Sequence, residues 1–185
     1  MRILIFLSVW ICCSSTFAQT FSKADSLERI IPQLSGTERA IALYDLCLIY
    51  SRSDHSKLGH VIEESKKLET DKDKLVRIYA LLTLAIGNTT SGNNDSALHR
   101  LKQAKEYAGE TKNPMALIRV CGTLGRFLIG EGKAEEGLKN LFEALKLLES
   151  VGFKKDGNTL LGPDGQPFKF VVGTPSARII SRSNP

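Results

Sequence analysis

The chain has 185 residues, 42% of them hydrophobic and 24% charged, with 25 basic against 20 acidic side chains for a net charge of +5. That length suits one modest domain with a core of its own. Without Arg2 there are 24 basic and 20 acidic residues, and five basic and two acidic ones lie past Gly152. The rest is therefore close to neutral, which argues against the basic stripe that a nucleic-acid binder carries on its folded part.

Met1 and Arg2 form a minimal basic start, residues 3–13 are an apolar run, and Ser14, Ser15, Thr16, Phe17 and Ala18 follow. A positive end, an apolar middle and small residues before a cut after Ala18 are the parts of a secretory signal peptide, predicted over 1–18. The run falls short of the roughly 20 apolar residues a bilayer span needs. The expectation is export to a periplasmic or secreted location, with no stable membrane span after cleavage. Cys12 follows Ile11 and Cys13 follows Cys12; neither has the small residue before it that a lipoprotein cysteine requires.

Residues 19–36 read as a lead-in with a short helix over 25–34, limited by Pro32. Ser35-Gly36-Thr37-Glu38 has capping-box spacing ahead of a helix carrying Ile41, Leu43, Leu46, Ile49 and Tyr50. Ser53-Asp54 is set to cap a second helix with Leu58, Ile62 and Ser65 at helical spacing. Residues 74–86 place Leu75, Ile78, Leu82 and Ala85 on one helical face, and Ser91-Gly92-Asn93-Asn94-Asp95 breaks the helix with turn formers. Ala97, Leu98, Leu101 and Ala104 make the partner face. Asn113-Pro114 reads as a cap with proline at the first helical position. The helix it opens carries Ile118, Cys121, Leu124 and Leu128, and its partner carries Leu138, Leu141, Ala144 and Leu148.

Shifting the chain by 40 positions aligns Leu84 with Leu124, Gly92 with Gly132, Leu98 with Leu138, Leu101 with Leu141 and Ala104 with Ala144. The same shift sets Ala85 on Gly125 and Ala97 on Gly137. Three helix pairs are thus predicted, over about 37–70, 73–109 and 114–151. Each shares a core with its neighbours, since one pair cannot bury its apolar face alone. The order Leu124-Gly125, Leu128, Gly137, Leu141, Ala144 resembles the tetratricopeptide repeat, with the likeness covering about 37–151. Asn88 stands where a bulky residue is usual, Ser65 replaces the usual alanine, and the unit is longer than the family's.

The resemblance implies an all-α fold, an α-solenoid whose concave side is made of first helices and binds extended peptides or partner helices. Similar repeats in exported bacterial proteins form the sensory segment ahead of a membrane-bound signalling protein. The function expected is accordingly non-enzymatic protein or peptide binding outside the cytoplasm, as the sensory or scaffolding part of a truncated signalling protein. On that register Tyr50, Tyr79, Leu82, Arg119 and Arg126 face the groove. Arg119 and Arg126 are seven apart and share a helix face. Paired guanidinium groups near tyrosines suit a carboxylate-bearing peptide or an acidic partner segment. The competing reading has both arginines snorkelling at the surface.

Past Val151 the helical period stops. Thr159-Leu160-Leu161, the turn Gly162-Pro163-Asp164-Gly165 and the run Phe168-Lys169-Phe170-Val171-Val172 predict a hairpin within a non-repeat tail, 152–185. Residues 174–185 are expected to be disordered, and a cut after Val151 to leave stability nearly unchanged. The stretch from Leu147-Leu148-Glu149-Ser150-Val151-Gly152-Phe153 to Pro163-Asp164-Gly165-Gln166-Pro167-Phe168 is similar to a segment of the peptide-binding proteins of ABC importers. That likeness carries the alternative, a fragment or fusion of a solute-binding protein in a truncated or fused frame.

Catalytic chemistry has no candidate in this sequence. His55, His60 and His99 lack the i,i+4 spacing of a metal pair, and Gly122, Gly125, Gly130 and Gly132 lie in and after a helix, unlike a phosphate loop. Glu63-Glu64 and Glu135-Glu136 read as solvated helix charges, and no nucleophile–base set, metal site or cofactor site is assigned. Cys47 and Cys121, two units apart, read as buried small hydrophobes beyond bridging distance.

Overall fold

The computed structural model describes residues 23–156, 159–164 and 166. The signal-peptide segment 1–18, the apolar arm at 168–172 and the stretch 174–185 lie outside these residues. The described body is all-α: residues 23–30 (α1), Gly36–Ser53 (α2), Leu58–Lys66 (α3), Lys74–Thr90 (α4), Asn94–Glu110 (α5), Pro114–Gly130 (α6) and Ala134–Ser150 (α7). A single 3-10 turn, Ile31–Gln33, joins α1 to the chain before α2, with Pro32 in its first positions. No described helix is long and apolar enough to cross a membrane.

Local chemistry sets most of these ends. The side chains of Asp73, Asn93 and Asn113 accept from the backbone N–H of Leu75, Ser96 and Ala116, each satisfying a donor the helix start leaves unpaired. Gly92 and Gly132, equivalent in the 40-residue shift, turn the chain at φ +75° and +77°, where a side chain would be strained. Two ends differ from expectation. Helix α4 continues past Ile86 to Thr90, and over its last turn the hydroxyls of Thr89, Thr90 and Ser91 donate to the carbonyls of Ala85, Ile86 and Gly87. The capping box at Ser35 does not close: Ser35 makes no side-chain cap bond; separately, the Thr37 hydroxyl donates to Asp73.

Consecutive helices pack in pairs, α2 with α3, α4 with α5 and α6 with α7, while α4 also touches both α2 and α6. The main core joins Tyr44, Val76, Tyr79, Leu82, Leu101, Val120 and Leu124 across α2, α4, α5 and α6. A second cluster gathers Leu27, Leu43, Cys47, Tyr50, Leu58 and Val61 at the N-terminal end. In α3 the buried face is Leu58, Val61 and Ser65, with Ile62 turned partly outward beneath Gly87. Small residues mark the close crossings. A β-carbon on Gly137 would lie 2.7 Å from the Gly125 carbonyl oxygen and 3.0 Å from the Ile129 amide nitrogen. Ala85 and Ala97, their counterparts one shift earlier, are 1% and 0% exposed. Cys47 and Cys121 are buried free thiols.

The chain past Val151 departs from expectation in two ways. Gly152, at φ +90°, turns Phe153 back into a third cluster with Met115, Ile118, Cys121 and Ala144, where it is 3% exposed. The segment beyond Val151 thus begins with a core residue. A strand pairing that was not predicted also forms ahead of the expected one, whose second arm at 168–172 lies outside the described residues. Lys154–Asp156 (β1) pairs antiparallel with Thr159–Leu161 (β2), with Lys154 opposite Leu161 and Asp156 opposite Thr159. Phe153 anchors the start of β1 and leaves it beside β2. The turn predicted after Leu161 does form, closed by the Gly162 N–H donating to the Gln166 carbonyl at 2.8 Å.

Candidate functional site

Where α2, α4 and α6 meet, the sequence places polar and aromatic side chains in place of a purely aliphatic seam. Asp45 and Tyr44 come from α2, Tyr79 from α4, and Arg119, Thr123 and Arg126 from α6. The Arg119 guanidinium donates to Asp45 Oδ1 at 2.6 Å, and the two side chains are only 11% and 14% exposed. The same guanidinium lies 5.5 Å from the Tyr44 ring centre and 5.7 Å from that of Tyr79, close enough for both rings to stabilise the cation. Thr123 Oγ1 donates to the Arg119 carbonyl at 2.8 Å, so at its 2.8 Å contact with Tyr44 it accepts the phenol proton.

The electrostatics follow from burial. Burial opposes the charge on Arg119, but Asp45 and then Tyr79 outweigh it, and the guanidinium pKa ends above its ordinary value. Burial pushes the Tyr79 phenol up to about 12. Tyr44 is raised by burial too, against the lowering effects of its Thr123 bond and of Arg119 and Arg126. The constellation is a fixed cation held by a carboxylate and two neutral phenols. It can hold three helices in register; it presents no poised base or nucleophile.

Of the five residues expected to line a groove, the structure brings Tyr79 and Arg119 together and sets Arg126 on the same helix face, exposed. The other two lie elsewhere. Leu82 is 0% exposed, inside the main core. Tyr50 is buried in the N-terminal cluster, where its hydroxyl donates to Glu28 and Lys57 sits 5.4 Å over its ring. Tyr79 itself is 1% exposed. The first helices pack against each other closely enough to cover these side chains, so they form core where open surface was expected. Asp45, Tyr44 and Thr123 were not among the expected residues. Their only signal was a carboxylate and a phenol adjacent in a helix otherwise patterned for burial.

A second feature lies at the other end of the body. Ile129, Leu138, Phe142 and Leu145 are exposed large hydrophobic residues, all in the last helix pair. Leu138, Phe142 and Leu147 with Glu135, Lys139 and Lys146 make an open, partly apolar surface along α7. Among the described residues, no group of three or more His, Cys, Asp or Glu side chains is placed to hold a metal ion. Compared with family models, curated proteins and solved structures, the chain matches none.

Proposed function

We propose that this chain is an exported, non-enzymatic helical-repeat module of the tetratricopeptide kind, an α-solenoid that binds a protein or peptide partner. The observation that carries the reading is repetition in three dimensions. The α4–α5 and α6–α7 pairs have small residues at equivalent crossings, Ala85 and Ala97 in one, Gly125 and Gly137 in the other. Their turns use equivalent left-handed glycines, Gly92 and Gly132. Stacked pairs of this kind expose a surface of first helices to a ligand. The polar groups between these helices, Asp45, Arg119, Tyr44 and Thr123, satisfy one another, so a ligand on that side would meet the exposed residues around them.

Arg119 is committed to Asp45, so the partner-facing charge falls to Arg126 and to Arg52. Arg52 lies one heptad beyond Asp45, hence on the same face of α2, and both arginines are exposed. Two guanidinium groups of this kind suit an acidic segment of a partner. The test is a peptide array of acidic, neutral and basic sequences probed with wild type and with Arg52→Glu/Arg126→Glu. Acidic peptides should bind wild type and lose the variant; equal retention by both, or no acidic preference, removes the groove reading. Expression in a Gram-negative host reads the export part, with a periplasmic product lacking residues 1–18 expected and an intact, membrane-held product contrary to it.

A further inference from the structure

We infer that the open face of α7 is a self-association surface whose occupant is α7 of a second copy of this chain, paired antiparallel about a two-fold axis. The first observation is that this face is built like an internal one. Leu98 on α5 is equivalent to Leu138 on α7; Leu98 packs half-buried against the main core, whereas Leu138 is 47% exposed, and Phe142, 60% exposed, adds an aromatic ring where α5 carries the exposed Lys102. Among the described residues no helix follows α7 as α6 follows α5. An apolar stripe of this size gains free energy by being covered.

The second observation selects the occupant. Along the stripe the charges run Glu135, Lys139, Glu143, Lys146, alternating in sign at spacings of four, four and three, which keeps them on one side of the helix. Reversing the helix exchanges the signs. When two such helices pair antiparallel, Glu135 faces the second copy's Lys146 and Lys139 faces its Glu143, at both ends of the axis. In a parallel pairing the two-fold axis runs along the helices and carries this charged side to the opposite flank of the seam, so these pairs form only in the antiparallel arrangement and the pattern specifies direction as well as partner. The axis then passes between residues 140 and 141. Phe142 stands beside it, and because helical side chains lean toward the N-terminus its ring reaches the axis. Glu143 also accepts from Lys105 of its own chain at 2.6 Å. A self-complementary patch of this kind is what a two-fold dimer interface requires.

The test is sedimentation equilibrium on the full mature chain and three variants. Wild type should dimerise. Phe142→Glu should be monomeric with an unchanged helical circular dichroism spectrum. Lys146→Glu, which repeats one clash at both ends of the axis, should raise the dissociation constant roughly tenfold. Glu135→Lys/Lys146→Glu should restore wild-type affinity, since both faces reverse together. A chain that stays monomeric at every concentration, or a double variant no tighter than Lys146→Glu, overturns the proposal. So does a monomer in which Phe142→Glu and Phe168→Glu/Phe170→Glu lower the melting temperature non-additively, because the chain's own arm would then cover the face. Arg52→Glu/Arg126→Glu should dimerise like wild type, which separates this surface from peptide binding.

Discussion

Arg119 holds its charge in a space with little water, and Asp45 is the group that makes this tolerable. Losing the carboxylate leaves a nearly buried cation facing two phenols that supply only part of its stabilisation. Asp45→Asn should therefore cost about 3 kcal/mol in a denaturant titration, whereas Asp45→Leu/Arg119→Met should recover most of that by replacing ions with packed hydrocarbon. Equal losses in the two variants would mean the charge itself carries little of the stability. Burial also sets a pH limit. It pushes the thiols of Cys47 to about 12 and Cys121 to about 11, from an ordinary value of 9.0. The unfolded chain releases these protons near pH 9 while the folded chain keeps them. Their contribution is thus complete below about pH 9 and is lost as pH rises toward the folded values. The denaturation midpoint should fall between about pH 8 and about pH 10.5, and Cys47→Ala should flatten that slope. The sequence could mark Arg119 as functional by its place on a helix face, but not as neutralised, because Asp45 lies 74 residues away.

Helix crossings were legible because they repeat. Ala85 with Ala97 and Gly125 with Gly137 recur at one shift, and their burial follows from the close approach of paired backbones. Helix ends were legible where one side chain decides, as at Asn113 with Pro114. They were not at Ser35, where the spacing of a capping box is present but Ser35 makes no side-chain cap bond. The glycines of α6 and α7 make a test of the crossing. Gly137→Ala gains helix propensity but drives a β-carbon to 2.7 Å from a backbone oxygen that cannot swing away. The net effect should be a loss of about 1–3 kcal/mol. Gly122 lies in the middle of α6 with nothing within 4 Å of where its β-carbon would stand. Gly122→Ala should therefore stabilise by about 0.5–1 kcal/mol. Thermal melts of both variants should move in opposite directions; a shared direction would mean propensity, not contact, governs these positions.

For the whole molecule the question is where the folded body ends. Sequence periodicity stops at Val151, since a single aromatic residue after a turn carries no period. The core continues through it: Phe153 returns under Gly152 to Met115, Ile118, Cys121 and Ala144, covering the side of the α6–α7 pair left open at the end of the helices. The hairpin that follows is two three-residue strands, and an isolated hairpin adds little stability in water. The contribution of the segment beyond Val151 is thus concentrated in one side chain. Ending the chain after Val151 should lower stability by about 2–3 kcal/mol, at or just below the lower end for losing a buried phenylalanine because that cluster lies at the edge of the body. For a protein of this size that is a fall in melting temperature of about 5–10 °C. Phe153→Ala in the full-length chain should reproduce most of the fall, and circular dichroism melts of the three proteins measure it. A truncated chain that melts with the full-length one would show that Phe153 anchors nothing and that the body closes at the end of α7.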